Sequence, residues 1–139
     1  MAPVAAAVAP HVLDQGLALL RGQVRERGTT ALLSSHIVTD IEQVCDRLIV
    51  LGVGHVLLDE SLADAVAVHR VLVGDGPAPD GATEVGRFPG DDGLKVALVR
   101  VAAGAAEDGL QPATVDQVVK GYLVAGRRRR AGQRGEAAA

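Results

Sequence analysis

Aromatic residues are almost absent from this 139-residue chain: there is no tryptophan, and Phe88 and Tyr122 stand alone. Surfaces that bind by stacking bases on aromatic faces are thereby excluded. Cysteine is equally scarce. With Cys45 as the only one, no intrachain disulfide or thiolate metal cluster can form, which points to a reducing compartment or to indifference to redox, with the cytosol the default. Lysine occurs only at Lys95 and Lys120. Residues 1–13 lack Lys, Arg, Asp and Glu, but they contain two prolines, no basic leader and too little length to span a bilayer. Neither a signal peptide nor a transmembrane segment is expected.

Small aliphatic residues fill the space that aromatics leave. The chain is 48% hydrophobic and 22% charged, with 23 Ala and 21 Val, the composition of a globular domain whose core is built from small and β-branched side chains. The formal net charge of -3 hides an asymmetry. Residues 127–139 hold five Arg and one Glu, a net +4, which leaves 9 basic and 16 acidic residues, or -7, in the preceding 126. The body is acidic and the tail basic.

Hydrophobic periodicity divides the chain. Leu13, Leu17, Leu20 and Val24 recur at helical spacing and predict a helix over residues 12–27, with Gly28 placed to end it. The short apolar run Thr29-Thr30-Ala31-Leu32-Leu33-Ser34 then reads as a buried strand. Thr39-Asp40-Ile41-Glu42 has the form of a capping box, in which the Thr hydroxyl and Glu carboxylate satisfy orphan amides at the start of a short helix through about Asp46. Two β-rich runs, residues 47–51 and 55–59, flank Gly52-Val53-Gly54 as a hairpin with a three-residue loop. Ser61 is placed to cap a helix through Val68. Residues 70–73, 83–88 and 94–101 are strand candidates between Gly/Pro/Asp-rich loops. A second capping box, Thr114-Val115-Asp116-Gln117, opens an amphipathic helix carrying Val115, Val118, Val119, Tyr122 and Leu123 on one face. Beyond Gly126 no apolar period remains, so the basic tail is expected to lack fixed structure.

The strand followed by Ser34-Ser35-His36, the short helix ending Val44-Cys45-Asp46-Arg47 and the hairpin from Leu48 to Val56 resemble, in order, the switch-histidine segment of ABC transporter ATPases. The strands and closing helix after it resemble the C-terminal extension of drug- and antibiotic-export members. The resemblance implies an α/β fold, a partial P-loop NTPase-like domain with a small β-rich C-terminal appendage. It divides the chain into a degenerate segment (1–11), a switch-histidine part (12–68), an appendage with its closing helix (69–125) and a basic tail (126–139). It also makes His36 the catalytic, ATP-contacting residue, with ATP and Mg²⁺ as family cofactors. An ABC permease and a second ATP-binding subunit are the implied partners, and the cytoplasm, peripheral on the inner face of the membrane, the implied location. No G-x-x-x-x-G-K-S/T phosphate loop and no signature of the LSGGQ kind occur in these 139 residues, so the isolated chain is expected to bind ATP–Mg weakly and to be inactive, a truncated product or remnant.

Other signals have plainer explanations. Val56-Leu57-Leu58-Asp59-Glu60 matches a Walker B pattern but follows the histidine instead of preceding it, so Asp59 and Glu60 read as a solvated strand end and helix start. His11, His55 and His69 show no metal-ligand spacing, and no metal site and no role is assigned to them. Cys45 reads as a small buried hydrophobe. The arginines at 127–130 read as solvated; they could bind phosphates of nucleic acid or anionic lipid headgroups nonspecifically, but no specific nucleic acid partner is expected.

Overall fold

The computed structural model describes residues 45–137, the side chains only as far as residue 133, and before them Leu19, Gly22, Gln23, residues 25–28 and Glu42. The chain divides into two units, Met1–Asp46 and Arg47–Ala139. In the first unit Leu19, Gly22, Gln23 and residues 25–27 are helical, and Gly28 follows at φ 62°, the left-handed stop that the glycine was expected to provide. The expected strand at residues 29–34, His36 and Thr39 lie outside the described residues. Glu42 is helical, but Cys45 is not: it sits in irregular chain just before the bend at Asp46 and is only half-buried, which corrects its assignment as a buried helix residue.

The second unit opens with a hairpin of β1 (Arg47–Gly52) and β2 (His55–Ser61). Gly52 pairs with His55, so the loop is the two-residue turn Val53-Gly54 and not the three-residue loop expected. Both turn residues have positive φ, 55° and 76°, the left-handed pair that suits the twist of a tight hairpin. Alternation sends Leu48 and Val50 inward and leaves Ile49 and Leu51 outside. A bulge between Val50 and Leu51 inserts Leu57 as an extra residue on β2.

Helix α1 (Leu62–Val68) follows, capped by Ser61, whose Oγ accepts from the Asp64 amide at 3.1 Å. Strands β3 (His69–Val73), β4 (Ala82–Pro89), β5 (Lys95–Val101) and β6 (Gln111–Pro112) form an antiparallel sheet in the order β4-β5-β3-β6. The first three match expected strands, whereas β6 is two residues long and too short to leave a pattern. Central β5 is buried on both faces: Val96, Ala97, Leu98 and Val99 all belong to the core.

Helix α2 (Val115–Ala137) covers one face of this sheet. Its capping box is reciprocal: the Thr114 amide donates to Gln117 Oε1 at 3.0 Å and the Gln117 amide to Thr114 Oγ1 at 3.2 Å. Val115 and Val118 are buried beneath it, and Gly86 and Gly121 let strand and helix approach until a Cβ on Gly86 would collide with the Gly121 carbonyl. The same helix also packs on the hairpin, where Leu57 lies 2.9 Å from where a Gly126 Cβ would stand. Residues 127–137, expected to lack fixed structure, continue this helix. A capped helix already held at Gly126 is extended at low cost, because each further residue adds a hydrogen bond without a new nucleation step.

Candidate functional site

Two groupings of chemistry-bearing side chains lie outside the segment that contains His36. The first is a polar chain, buried at His69 and reaching the surface at Arg100, where the hairpin, α1, the sheet and α2 meet. Register places His69 on β3 opposite Arg100 on β5, and helical spacing brings Tyr122 of α2 above them. His69 is fully buried. Its Nδ1 stands 2.6 Å from the Ala65 carbonyl oxygen, which can only accept, so Nδ1 carries a proton and donates. Nε2 stands 2.8 Å from the Tyr122 hydroxyl and, in the neutral ring, accepts from it; the rings meet edge to face at 5.4 Å. Arg100 then pairs with Glu60 of β2 at 2.7 Å.

Electrostatics follow from that order of contacts. Burial, above all, lowers the His69 pKa and the Arg100 cation pushes the same way, while the hydrogen bond to Ala65 and the Glu60 charge oppose them. The imidazole is therefore held neutral. Arg100 is held more firmly charged, first by its hydrogen bond to Glu60 and, against some desolvation, also by the Tyr122 hydroxyl. Glu60 Oε2 is buried without a hydrogen-bond partner. Glu60 is thus no solvated helix-start residue, which corrects the expectation for it: consecutive strand residues face opposite sides, and the inner one meets Arg100. Asp59 does lie on the outer side, exposed, where it pairs with Arg47 at 2.6 Å.

These positions decide whether the described Asp59 and Glu60 form a Mg²⁺ site, and they do not. Asp59 and Glu60 point away from each other and each is already neutralised by an arginine. Among the described residues no group of three His, Cys, Asp or Glu could hold a metal ion. Cys45 is no better suited to nucleophilic chemistry, since burial and the neighbouring Asp46 raise its thiol pKa. Nor is any described helix long and apolar enough to cross a membrane. His69 was missed in the sequence because its side-chain partner, Tyr122, is 53 residues away.

The second grouping is the tip of the hairpin beside α2. Val53, Arg127, Arg130 and Ala131 line an open cavity of about 510 Å³. Arg127 and Arg130, one turn apart, share with Ala131 the helix face that looks toward the turn.

In comparison with known proteins, short stretches of the chain are similar to ATP-binding proteins of ABC transporters. Over 61 residues, 44% of this chain, it is 39% identical to the thiamine import ATP-binding protein ThiQ of Jannaschia sp. (strain CCS1), of which the match covers 27%. Over 43 residues, 31% of this chain, it is 42% identical to an uncharacterized ABC transporter ATP-binding protein, sll0415, of Synechocystis sp. (strain ATCC 27184 / PCC 6803 / Kazusa), of which 12% is covered. The chain thus matches about a quarter and about an eighth of the length of these curated relatives. No family model matches the sequence, and no solved structure matches the chain.

Proposed function

We propose that this chain is the C-terminal part of the ATP-binding component of an ABC transport system, in which ATP hydrolysis drives a solute through a membrane permease. The observation that carries the reading is the 39% identity over 61 residues to a thiamine import ATP-binding protein. The order of strand, Ser-Ser-His, short helix and hairpin supports it. In this reading His36 is the switch histidine, donating a hydrogen bond to the terminal phosphate of ATP as charge grows there during transfer. The β-rich appendage favours an exporter, although the relative is named for import. A permease and a second ATP-binding subunit are its partners, on the inner face of the membrane.

The groups that hold ATP and Mg²⁺, a phosphate-loop lysine and a metal carboxylate, do not occur in these 139 residues. The 139-residue chain alone therefore neither binds ATP–Mg tightly nor turns it over. A second reading, a protein-interaction module without catalysis, is favoured by the exposed apolar face of the hairpin, formed by Ile49, Leu51 and Val56. Calorimetry and phosphate release on the purified chain test the proposal: no saturable heat with ATP–Mg and no turnover are expected. Micromolar affinity abolished by His36→Ala would show a self-sufficient nucleotide site and contradict it.

A further inference from the structure

We propose that the β1–β2 turn and the arginine-bearing part of α2 beside it form a docking surface for an anionic lipid bilayer. The inference stands on the geometry of the second unit and not on the ATPase reading. The cavity lined by Val53, Arg127, Arg130 and Ala131 brings an apolar tip and a cationic helix face to one place. All four arginines at 127–130 are exposed, and none forms an ion pair among the described residues, although Arg47, Arg70, Arg87 and Arg100 all do.

The apolar half of the surface is open as well. Leu51 and Val56 pair next to the turn on the hairpin face turned away from α2 and are 66% and 61% exposed, so they flank the apex, where Val53, which does line the cavity, is 39% exposed. Val53 also holds φ 55°, a conformation that disfavours a β-branched side chain and suits Asn or Gly. The turn would fold better with either residue, so valine there serves something other than the turn. Consecutive arginines with like charges three residues apart, as at 127 and 130, repel one another along the helix. Lipid headgroups relieve that repulsion while the turn enters the apolar boundary beneath them.

Charge distribution favours a bilayer over a nucleic acid as the occupant. The basic end carries +4 and the preceding 126 residues -7, so a planar anionic surface can touch the tip alone, whereas a polynucleotide lying along the protein meets repulsion. Leu51, Val53 and Val56 likewise find no apolar phase on a phosphate backbone, and no aromatic side chain stands among them for stacking.

Co-sedimentation of the full chain with phosphatidylcholine vesicles, with vesicles in which phosphatidylglycerol replaces part of the phosphatidylcholine, and retention on duplex DNA make the test. Binding to the anionic vesicles only is expected. Arg127→Ala with Arg130→Ala should weaken it about 25-fold, roughly fivefold for each arginine near the surface. Val53→Asn, which keeps the turn and removes the apolar apex, should weaken it about tenfold while leaving the folded signal unchanged. Absence of binding to anionic vesicles overturns the proposal. So does binding that Val53→Asn leaves unchanged, or DNA retention as strong as vesicle binding, since either makes the arginines a general polyanion contact.

Discussion

His69 shows how far a residue's role depends on neighbours remote in sequence. Its pKa is lowered in the fold, mainly by burial and then by Arg100, so near its ordinary value of 6.5 the unfolded chain takes up a proton that the native ring resists. Stability from this group is complete above pH 6.5 and is lost as pH falls through the folded pKa. Protonation would also reverse the Tyr122 hydrogen bond and place a cation beside Arg100. Urea unfolding from pH 8 to 5 should show a plateau above about pH 6.5 and a decline below it, and His69→Gln should flatten that decline. Tyr122→Phe leaves His69 Nε2 buried without a partner and should cost about 1–3 kcal/mol at neutral pH; an unchanged unfolding midpoint would mean that the bond contributes nothing. None of this was legible beforehand, because a lone histidine whose side-chain partner lies 53 residues away carries no local signal. Glu60 was obscured similarly: its Arg100 partner stands on a strand of the other sheet and meets it only through tertiary packing, which composition does not encode.

Elements were read better where the signal is local. Both caps of the second unit, Ser61 and the Thr114–Gln117 box, are formed as the sequence implied, since capping needs only residues within one turn. The hairpin and three strands of the sheet also match, while the length of α2 does not: a block of like charge reads as unstructured unless one knows that Leu57 packs over Gly126. The glycines of this helix provide its sharpest test. Ala is the better helix former by about 1 kcal/mol, and Gly132, with nothing within 4 Å of its missing Cβ, should obey that rule. Gly121 should invert it, because a Cβ there collides with Leu98, and Gly121→Ala should destabilise by about 1–3 kcal/mol. Equal effects at the two positions, measured by denaturant unfolding, would remove the close approach of α2 to the sheet.

At the scale of the whole molecule, the second unit is closed by one helix that packs on both the four-stranded sheet and the hairpin, with the Glu60–Arg100–Tyr122–His69 chain spanning their junction. Strand β5, central in the sheet and buried on both faces, should therefore be the slowest segment in hydrogen exchange, and β6 among the fastest. Comparable protection in both would contradict the edge position of β6. What the sequence conveyed at this scale was a likeness to ABC ATP-binding proteins, which short stretches of 39% and 42% identity to two such proteins support. The polar chain was not visible, for it joins residues from β2, β3, β5 and α2; of the docking tip only the arginines were legible, and not the β1–β2 turn that the fold sets beside them. The proposal that His36 is a switch histidine is tested most directly in a chimera. Residues 12–68 would replace the corresponding segment of an active ABC ATP-binding protein, and ATP turnover would be measured with and without His36→Ala. The folded chimera should hydrolyse ATP and lose about 10²–10³-fold on removal of the histidine; turnover in the folded chimera that is indifferent to His36→Ala would contradict the account.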